Sequence, residues 1–282
     1  MRTGFSRNNY CDAPLIAVPA NSIGLNRGYT AFDFMKVVNG QPFCAERHLA
    51  RFFRTMSLLR IEIPYSMTEV GTIVKTLAEK NTGNYYGLKF FAVPVDTAGP
   101  EAYPADLYVV PVELPAYPDE MFTKGSALIT KEYARFLPEA KSTNYLPGIF
   151  WENELKKHGA VEILYCFNGQ VFEATKSNVF VVVGPQVFTP EKGILKGITR
   201  SIVIDILHEK QIGFSEKEIS TDELFAADEV FITSTTKGIA PIVKIDGQPI
   251  GNGNVGTISR MLIGEYQKLF TDPLGGLNLF MR

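Results

Sequence analysis

Lys141 stands in the run EAKSTNYLPGIFWENELKKHG, with Ser, Thr and Asn directly after it and an apolar, helix-like segment beyond. Lysine is nearly always a solvated surface charge, so an ammonium at the mouth of a segment that reads as core is out of place unless it works. A desolvated lysine sheds its proton more readily, and the free amine attacks carbonyl carbon. Glu173 ends the apolar strand QVFE, where a carboxylate is costly unless paired or hydrogen-bonded; a strand-end salt bridge is the plain alternative. Two segments suit a small anion. Gly197-Ile198-Thr199 opens a helix, whose free N–H groups and dipole favour negative charge. Ser234-Thr235-Thr236 ends a strand with three hydroxyls and is followed by Gly238. Arg51 has Arg47 at i−4 and Arg54 at i+3, so the three share one helix face. A solvated basic stripe is the alternative there.

Other motifs lead away from competing chemistries. GNGNVG, residues 251–256, satisfies GxGxxG and lies between a strand-like run and a helix. A dinucleotide fingerprint also needs a second parallel strand ending near an acid; the chain is nearly over, so a plain loop is the reading. No GxSxG elbow, HExxH or paired-Cys spacing occurs, and His48, His158 and His208 lie in helix-like or helix-end contexts. No metal site is expected.

In this order the pieces ERHLARF, KSTNYL, FEATKSNVF, GILKGITR, DEVFITSTTKGIAPI and IDGQPIG resemble the class IV, or fold-type IV, pyridoxal-phosphate-dependent enzymes. That family includes branched-chain aminotransferases, D-amino-acid transaminases and aminodeoxychorismate lyase. The resemblance runs from about residue 27 to 256 and implies an α+β, two-domain fold: a smaller N-terminal α+β domain, then a larger cofactor-binding domain with a mainly antiparallel, barrel-like meander and helices. It implies that Lys141 joins pyridoxal 5'-phosphate as a Schiff base and that Glu173 faces the pyridine nitrogen. Arg51, Thr199 and Thr235, with the Ile198 and Thr236 amides, would hold the phosphate, and Tyr145 the phenolic oxygen. It also implies a homodimer acting on amino and keto acids. A carboxylate at the ring nitrogen makes the ring a better electron sink, and an arginine with a helix N-terminus suits a dianionic phosphate.

Departures from the family pattern bear on the substrate. The D-amino-acid branch carries an Arg-x-His carboxylate trap where VPVDTAGPEAYP has neither residue. RGYTAFDF is shortened, with Phe32 where that branch has Tyr. Lys89, Arg27 and Lys176 are the cations that could meet a substrate carboxylate, each with a surface salt bridge as its alternative. Transamination is favoured over the lyase reaction, which would give p-aminobenzoate and pyruvate. A nucleotide-binding protein built on GNGNVG is the remote alternative.

The elements that must position these groups mix strand and helix throughout. FDFMKVVNGQPFC reads as a hairpin about Asn39-Gly40. Leu49, Phe52, Phe53, Met56 and Leu59 recur at helical spacing, and SMTEVGTIVKTLAEK reads as a second helix. YGLKFFAVPV and ADLYVVPVEL read as strands. The Pro-containing VELPAYPDE is the linker, giving domains at 1–116 and 117–282. A meander about Asn168-Gly169 and Gly184-Pro185 follows, then a helix from Ile198, a short helix with Ser220/Glu223 capping-box spacing, a strand into the hydroxyl loop, and a last helix over VGTISRMLIGEYQKLF.

Composition sets the outer bounds. Of 282 residues, 45% are apolar and 21% charged, which suits two globular domains. A net charge of −2 argues against nucleic acid as a partner. Cys11, Cys44 and Cys166 are far apart and read as reduced thiols. Without a signal-like apolar core at the N-terminus or a run long enough to span a bilayer, the expectation is a cytoplasmic protein with no membrane partner.

Overall fold

In the computed structural model, which describes residues 2–83, 85–95 and 101–271, the chain divides into two compact units. One comprises Met1–Pro115 with Ala140–Asn144; the other comprises Ala116–Glu139 and the chain from Tyr145 onward. The Lys141 segment thereby belongs to the first unit although it follows the Pro-containing stretch in sequence. The tip of VPVDTAGPEAYP, residues 96–100, lies outside the described residues.

Among the described residues, the first unit builds one sheet. Its strands are β1 (Thr3–Ser6), β2 (Asn9–Asp12), β3 (Ala31–Val38), β4 (Gln41–Pro42), β5 (Ile61–Glu62), β6 (Tyr85–Pro94) and β7 (Tyr103–Val112). The order is β2-β1-β7-β6-β3-β4, with β5 added beside β7 in parallel. Helix α1 (Ile23–Asn26) precedes β3, and α2 (Ala45–Leu58) and α3 (Met67–Lys80) follow β4 and β5. The β3–β4 hairpin turns on Asn39 (φ +51°) and Gly40 (φ +74°), both left-handed as a two-residue type I′ turn requires. Strand periodicity then decides which β3 residues enter the core. Ala31, Asp33, Met35 and Val37 point into it, while Phe32 and Phe34 alternate to the other face. His48, Leu49, Phe52, Thr55 and Met56 of α2 are buried. Of these, the apolar residues share a core with Val70, Val74 and Leu77 of α3 and Leu88 and Phe90 of β6.

The second unit's strands are β8 (Ser126–Glu132), β9 (Glu162–Phe167), β10 (Gln170–Ala174), β11 (Asn178–Val183), β12 (Gln186–Thr189), β13 (Gly213–Glu216), β14 (Glu229–Ser234), β15 (Gly238–Ile245) and β16 (Gln248–Pro249). Their order is β10-β9-β8-β15-β14-β11-β12-β13, and an extra pairing, Glu173 of β10 with Asn178 of β11, closes six strands into a barrel. Leu128, Leu164, Val171, Val179, Val181, Val230, Ile232, Ala240 and Ile242, drawn from all six, form one apolar cluster. The meander is antiparallel except at β8, which runs parallel to both β9 and β15, and at β12–β13. Helices α4 (Glu120–Thr123), α5 (Leu146–Phe150), α6 (Glu152–His158), α7 (Ile198–Glu209), α8 (Thr221–Phe225) and α9 (Thr257–Thr271) complete the unit. A Ser220/Glu223 capping box starts α8, as the spacing predicts.

One reading is corrected here, and another gains its physical reason. The apolar segment after Lys141 is not core: Leu146, Ile149 and Phe150 of α5 are 75%, 66% and 76% exposed. The GNGNVG stretch is structural. A Cβ on Gly251, at φ +54°, would lie 2.2 Å from the Asp228 carbonyl oxygen, so the turn needs glycine to pass that close. The N-terminus of α9, where a dinucleotide phosphate would sit, is taken by Glu229. Its carboxylate accepts from the Ile258 N–H (3.0 Å), the Ser259 N–H (2.8 Å) and the Ser259 hydroxyl (2.7 Å). Replacing Glu229 by Ala removes this cap and is expected to cost about 1–2 kcal/mol, read as a lower unfolding midpoint, while NAD leaves the wild-type midpoint unmoved.

Candidate active site

In the first unit, the candidate residues gather around β3. The Lys141 segment is fastened to it: the Phe32 N–H donates to the Lys141 carbonyl (2.9 Å), the Thr143 N–H donates to the Thr30 carbonyl (3.1 Å), and Ala31 bridges Ser142. The Lys141 N–H also donates to the Thr55 hydroxyl of α2 (3.2 Å). The Lys141 Nζ lies 4.7 Å from the centre of the Phe32 ring, and that ring stacks on Phe91 with centroids 6.2 Å apart. Cation and aromatic face attract at this distance.

One residue along β3, Asp33 turns into the core and meets α2. Arg51 grips its carboxylate with Nε on Oδ2 (2.8 Å) and Nη2 on Oδ1 (2.7 Å), a bidentate pair. His48 Nδ1 (2.8 Å) and the Phe34 N–H (2.7 Å) also reach Oδ1. Asp33 and His48 are 1% exposed. Burial alone would raise the Asp33 pKa, but the Arg51 charge and the contact with His48 outweigh it and hold the carboxyl far below its ordinary value of 3.8. Burial dominates at His48 and lowers its pKa from 6.5, with the Lys141 charge pressing the same way. Arg51 is therefore no member of a solvated stripe: it is bound to a buried acid, whereas Arg54 is exposed.

In the second unit the candidates converge on Asn178. Glu173, 4% exposed, accepts from Arg135 Nη1 on Oε1 (2.7 Å) and from the Leu195 N–H (3.0 Å) and Asn178 Nδ2 (3.4 Å) on Oε2. Asn178 Nδ2 also donates to the Leu195 carbonyl (2.7 Å). A register shift between Val171 and Ala174 puts a bulge in β10 at Glu173. Asn178 pairs with Thr233 of the neighbouring strand β14, which ends in Ser234 and leads to Thr235 and Thr236. A Cβ on Gly197, the N-cap of α7, would lie 2.1 Å from Asn178 Oδ1. The start of α7, with Ile198 and Thr199, thus lies against the same asparagine. Tyr117 donates its hydroxyl to Thr236 Oγ1 (3.2 Å).

The remaining candidates are more scattered. Tyr145 precedes α5 in the second unit. Lys176 is exposed in the turn after β10, its N–H donating to Glu162 Oε2 (2.6 Å). Lys89 of β6 sits opposite Phe34, and Arg27, at the end of α1, is exposed.

The amino-transferase class IV family model matches residues 30–245. The chain belongs to that family. A D-alanine aminotransferase of Bacillus licheniformis is 30% identical over 253 residues, 86% of this chain and 88% of that protein. One from Listeria innocua is 32% identical, covering 84% and 86%. A solved branched-chain amino acid aminotransferase of T.th. with pyridoxamine 5'-phosphate superposes with a TM-score of 0.90 at 27% identity, covering 98% of this chain and 96% of that one.

This class IV aminotransferase is an enzyme that uses pyridoxal 5'-phosphate, and its fold is that of fold-type IV. Its donor set fits the cofactor. In contrast to α9, helix α7 begins at a glycine with no side-chain cap and no acid in its first turn, leaving N–H groups for a phosphate. The buried Thr233 hydroxyl has no hydrogen-bond partner among the described residues, and Glu173 is a buried carboxylate held in place from two sides.

Motif reading passes over Asp33, His48, Arg135 and Asn178, which bond the candidate residues or one another. Asp33 had a visible signal, a charge inside the apolar strand AFDFMKVV. Asp33→Asn leaves Arg51 without its counter-charge and is expected to cost about 3–5 kcal/mol. The acid limb tests the sign. His48 is protonated more easily unfolded than folded, so it removes stability as pH falls below 6.5; Asp33 does so below 3.8. Denaturant melts from pH 7 to 3 should show the step below pH 4 flattened in Asp33→Asn and the one near 6.5 flattened in His48→Gln.

Proposed function

We propose that Lys141 is the amine that holds pyridoxal 5'-phosphate covalently and carries the proton to and from the substrate α-carbon. The Lys141–Phe32 geometry carries this reading: backbone bonds to β3 and α2 anchor the lysine on both sides, and its amine lies over an aromatic face beside a buried Arg–Asp–His set. The cofactor, when bound, supplies the electron sink that makes the α-proton removable. Glu173 is proposed to face its ring nitrogen. Arg51, Thr199, Thr235 and the Ile198 and Thr236 N–H groups are proposed to hold its phosphate, and Tyr145 its phenolic oxygen.

The proposed reaction passes an amino group from an amino acid to a 2-keto acid. Relatives named D-alanine and branched-chain amino acid aminotransferases support small or apolar donors, and so does the stacked Phe32–Phe91 pair next to Lys141. Lys89 is the best supported of the proposed carboxylate partners. It lies two residues from Phe91 on β6, hence on the same sheet face, whereas Arg27 and Lys176 are on other elements. A homodimer is proposed on the exposed Leu146, Ile149 and Phe150, spaced i, i+3, i+4, which a second copy would cover. Cys11, Cys44 and Cys166, read as reduced thiols, suit the reducing cytoplasm as the proposed location.

Wild-type protein loaded with pyridoxal phosphate should absorb in the visible, and borohydride should fix the cofactor onto Lys141 by peptide mass. Lys141→Ala should lose both, and turnover should fall by at least about 10³-fold. In a panel of D- and L-amino acids without keto acid, apolar donors should bleach the visible band. Pyruvate release from aminodeoxychorismate with no bleaching by any amino acid would instead make the chain a lyase.

A further inference from the structure

Lys237 and Glu162 form an ion pair in the second unit that none of the roles above uses. The Lys237 Nζ donates to Glu162 Oε1 at 2.6 Å, and the two side chains are 5% and 4% exposed. Burial alone would push the ammonium's pKa down, but the Glu162 charge outweighs it and lifts the amine above its ordinary value. The same carboxylate accepts from the Ser177 hydroxyl on Oε1 (2.5 Å) and from the Lys176 N–H on Oε2 (2.6 Å).

These partners come from two loops. Lys176 and Ser177 form the turn that joins Glu173 of β10 to Asn178 of β11. Lys237 directly follows Thr235 and Thr236, its N–H donates to the Ser234 hydroxyl (3.3 Å), and its Nζ lies 5.4 Å from the ring of Tyr117, which donates its hydroxyl to Thr236. Glu162, the first residue of β9, therefore ties the turn bearing Glu173 to the loop bearing the hydroxyls.

We infer that the Lys237–Glu162 pair is a brace that fixes the spacing between the hydroxyl loop and the Glu173 turn, making Lys237 a positioning residue for a ligand that must reach both. This rests on the proposed roles of Glu173 and of Thr235 and Thr236 toward the cofactor. On those roles pyridoxal phosphate would need both the Glu173 carboxylate and the hydroxyl loop, whereas inorganic phosphate would need only the hydroxyl loop. The Lys237 charge is spent on Glu162 and is not offered to the phosphate.

The test compares wild type, Lys237→Met and the doubly neutral Lys237→Met/Glu162→Gln, each stripped of cofactor. Equilibrium dialysis measures pyridoxal phosphate, and inorganic phosphate is measured separately. The double variant leaves no unpaired buried charge, so its unfolding midpoint should return toward wild type even if Lys237→Met alone is unstable. Both variants should bind pyridoxal phosphate weaker by about 10-fold or more, with inorganic phosphate within twofold of wild type. An equal loss for both ligands would make Lys237 a phosphate charge partner and overturn the brace, as would a folded double variant that binds pyridoxal phosphate like wild type. Failure of the cofactor roles shows separately: Glu173→Gln and Thr235→Val would then leave pyridoxal phosphate affinity unchanged.

Discussion

A carboxylate can leave water only if donors surround it, and in this chain that requirement decides where the site-bearing segments lie. Asp33 is buried under α2 and is satisfied only because Arg51, His48 and the Phe34 N–H point at it. Glu173 is satisfied by Arg135, Asn178 and the Leu195 N–H, which draws the segment leading into α7 against the barrel. Glu162 gathers two loops in the same way, and Glu229 closes the start of α9. Each of the three buried acids, Asp33, Glu173 and Glu162, costs the fold several kcal/mol if its cationic partner is removed, so each acts as a geometric lock rather than as a net source of stability.

Strand β3 shows how one segment serves both packing and chemistry. Its odd-numbered residues, Ala31, Met35 and Val37, are core, and Asp33 belongs to that face. Phe32, a single residue away, points the other way and meets Lys141. The period of two along a strand makes this division automatic, and a one-residue slip would put Asp33 with Lys141 and Phe32 under α2. The Asn39-Gly40 turn, left-handed at both positions, holds the register of the β3–β4 hairpin, and eight consecutive pairs with β6 hold the rest. Arg51 cannot be exchanged for lysine without loss, because only a planar guanidinium meets both Asp33 oxygens at once.

Much of this was legible in the sequence for local reasons. The Asn-Gly turns, the helical stripe of α2 and the Ser220/Glu223 cap depend on residues within a few positions of one another, and all recur in the structure. Lys141, Glu173 and the GIT and STT segments stand out because their chemistry clashes with apolar neighbours. What stayed hidden depends on partners far along the chain. Arg135 is 38 residues from Glu173, and Lys237 is 75 from Glu162. Neither pairing leaves a periodic trace. The α5 segment misled for the opposite reason: apolar residues at helical spacing look alike whether they face a core or the surface.

The bulge at Glu173 is the sharpest case of information that only the fold supplies. Gln170 faces Phe167 and Val171 faces Cys166, so regular pairing would set Glu173 opposite Leu164; instead Ala174 takes that place. One extra residue in β10 frees Glu173 from the ladder with β9 and lets it pair with Asn178 of β11, the contact that closes the barrel. A bulge bends the strand and redirects the side chain it carries. Closure and orientation are thus a single event: the residue that completes the ring of six strands is the one whose carboxylate is delivered to Arg135, Asn178 and Leu195. Deleting Phe172 or Ala174 would restore a regular ladder with β9 and draw Glu173 into it, away from the Asn178 seam.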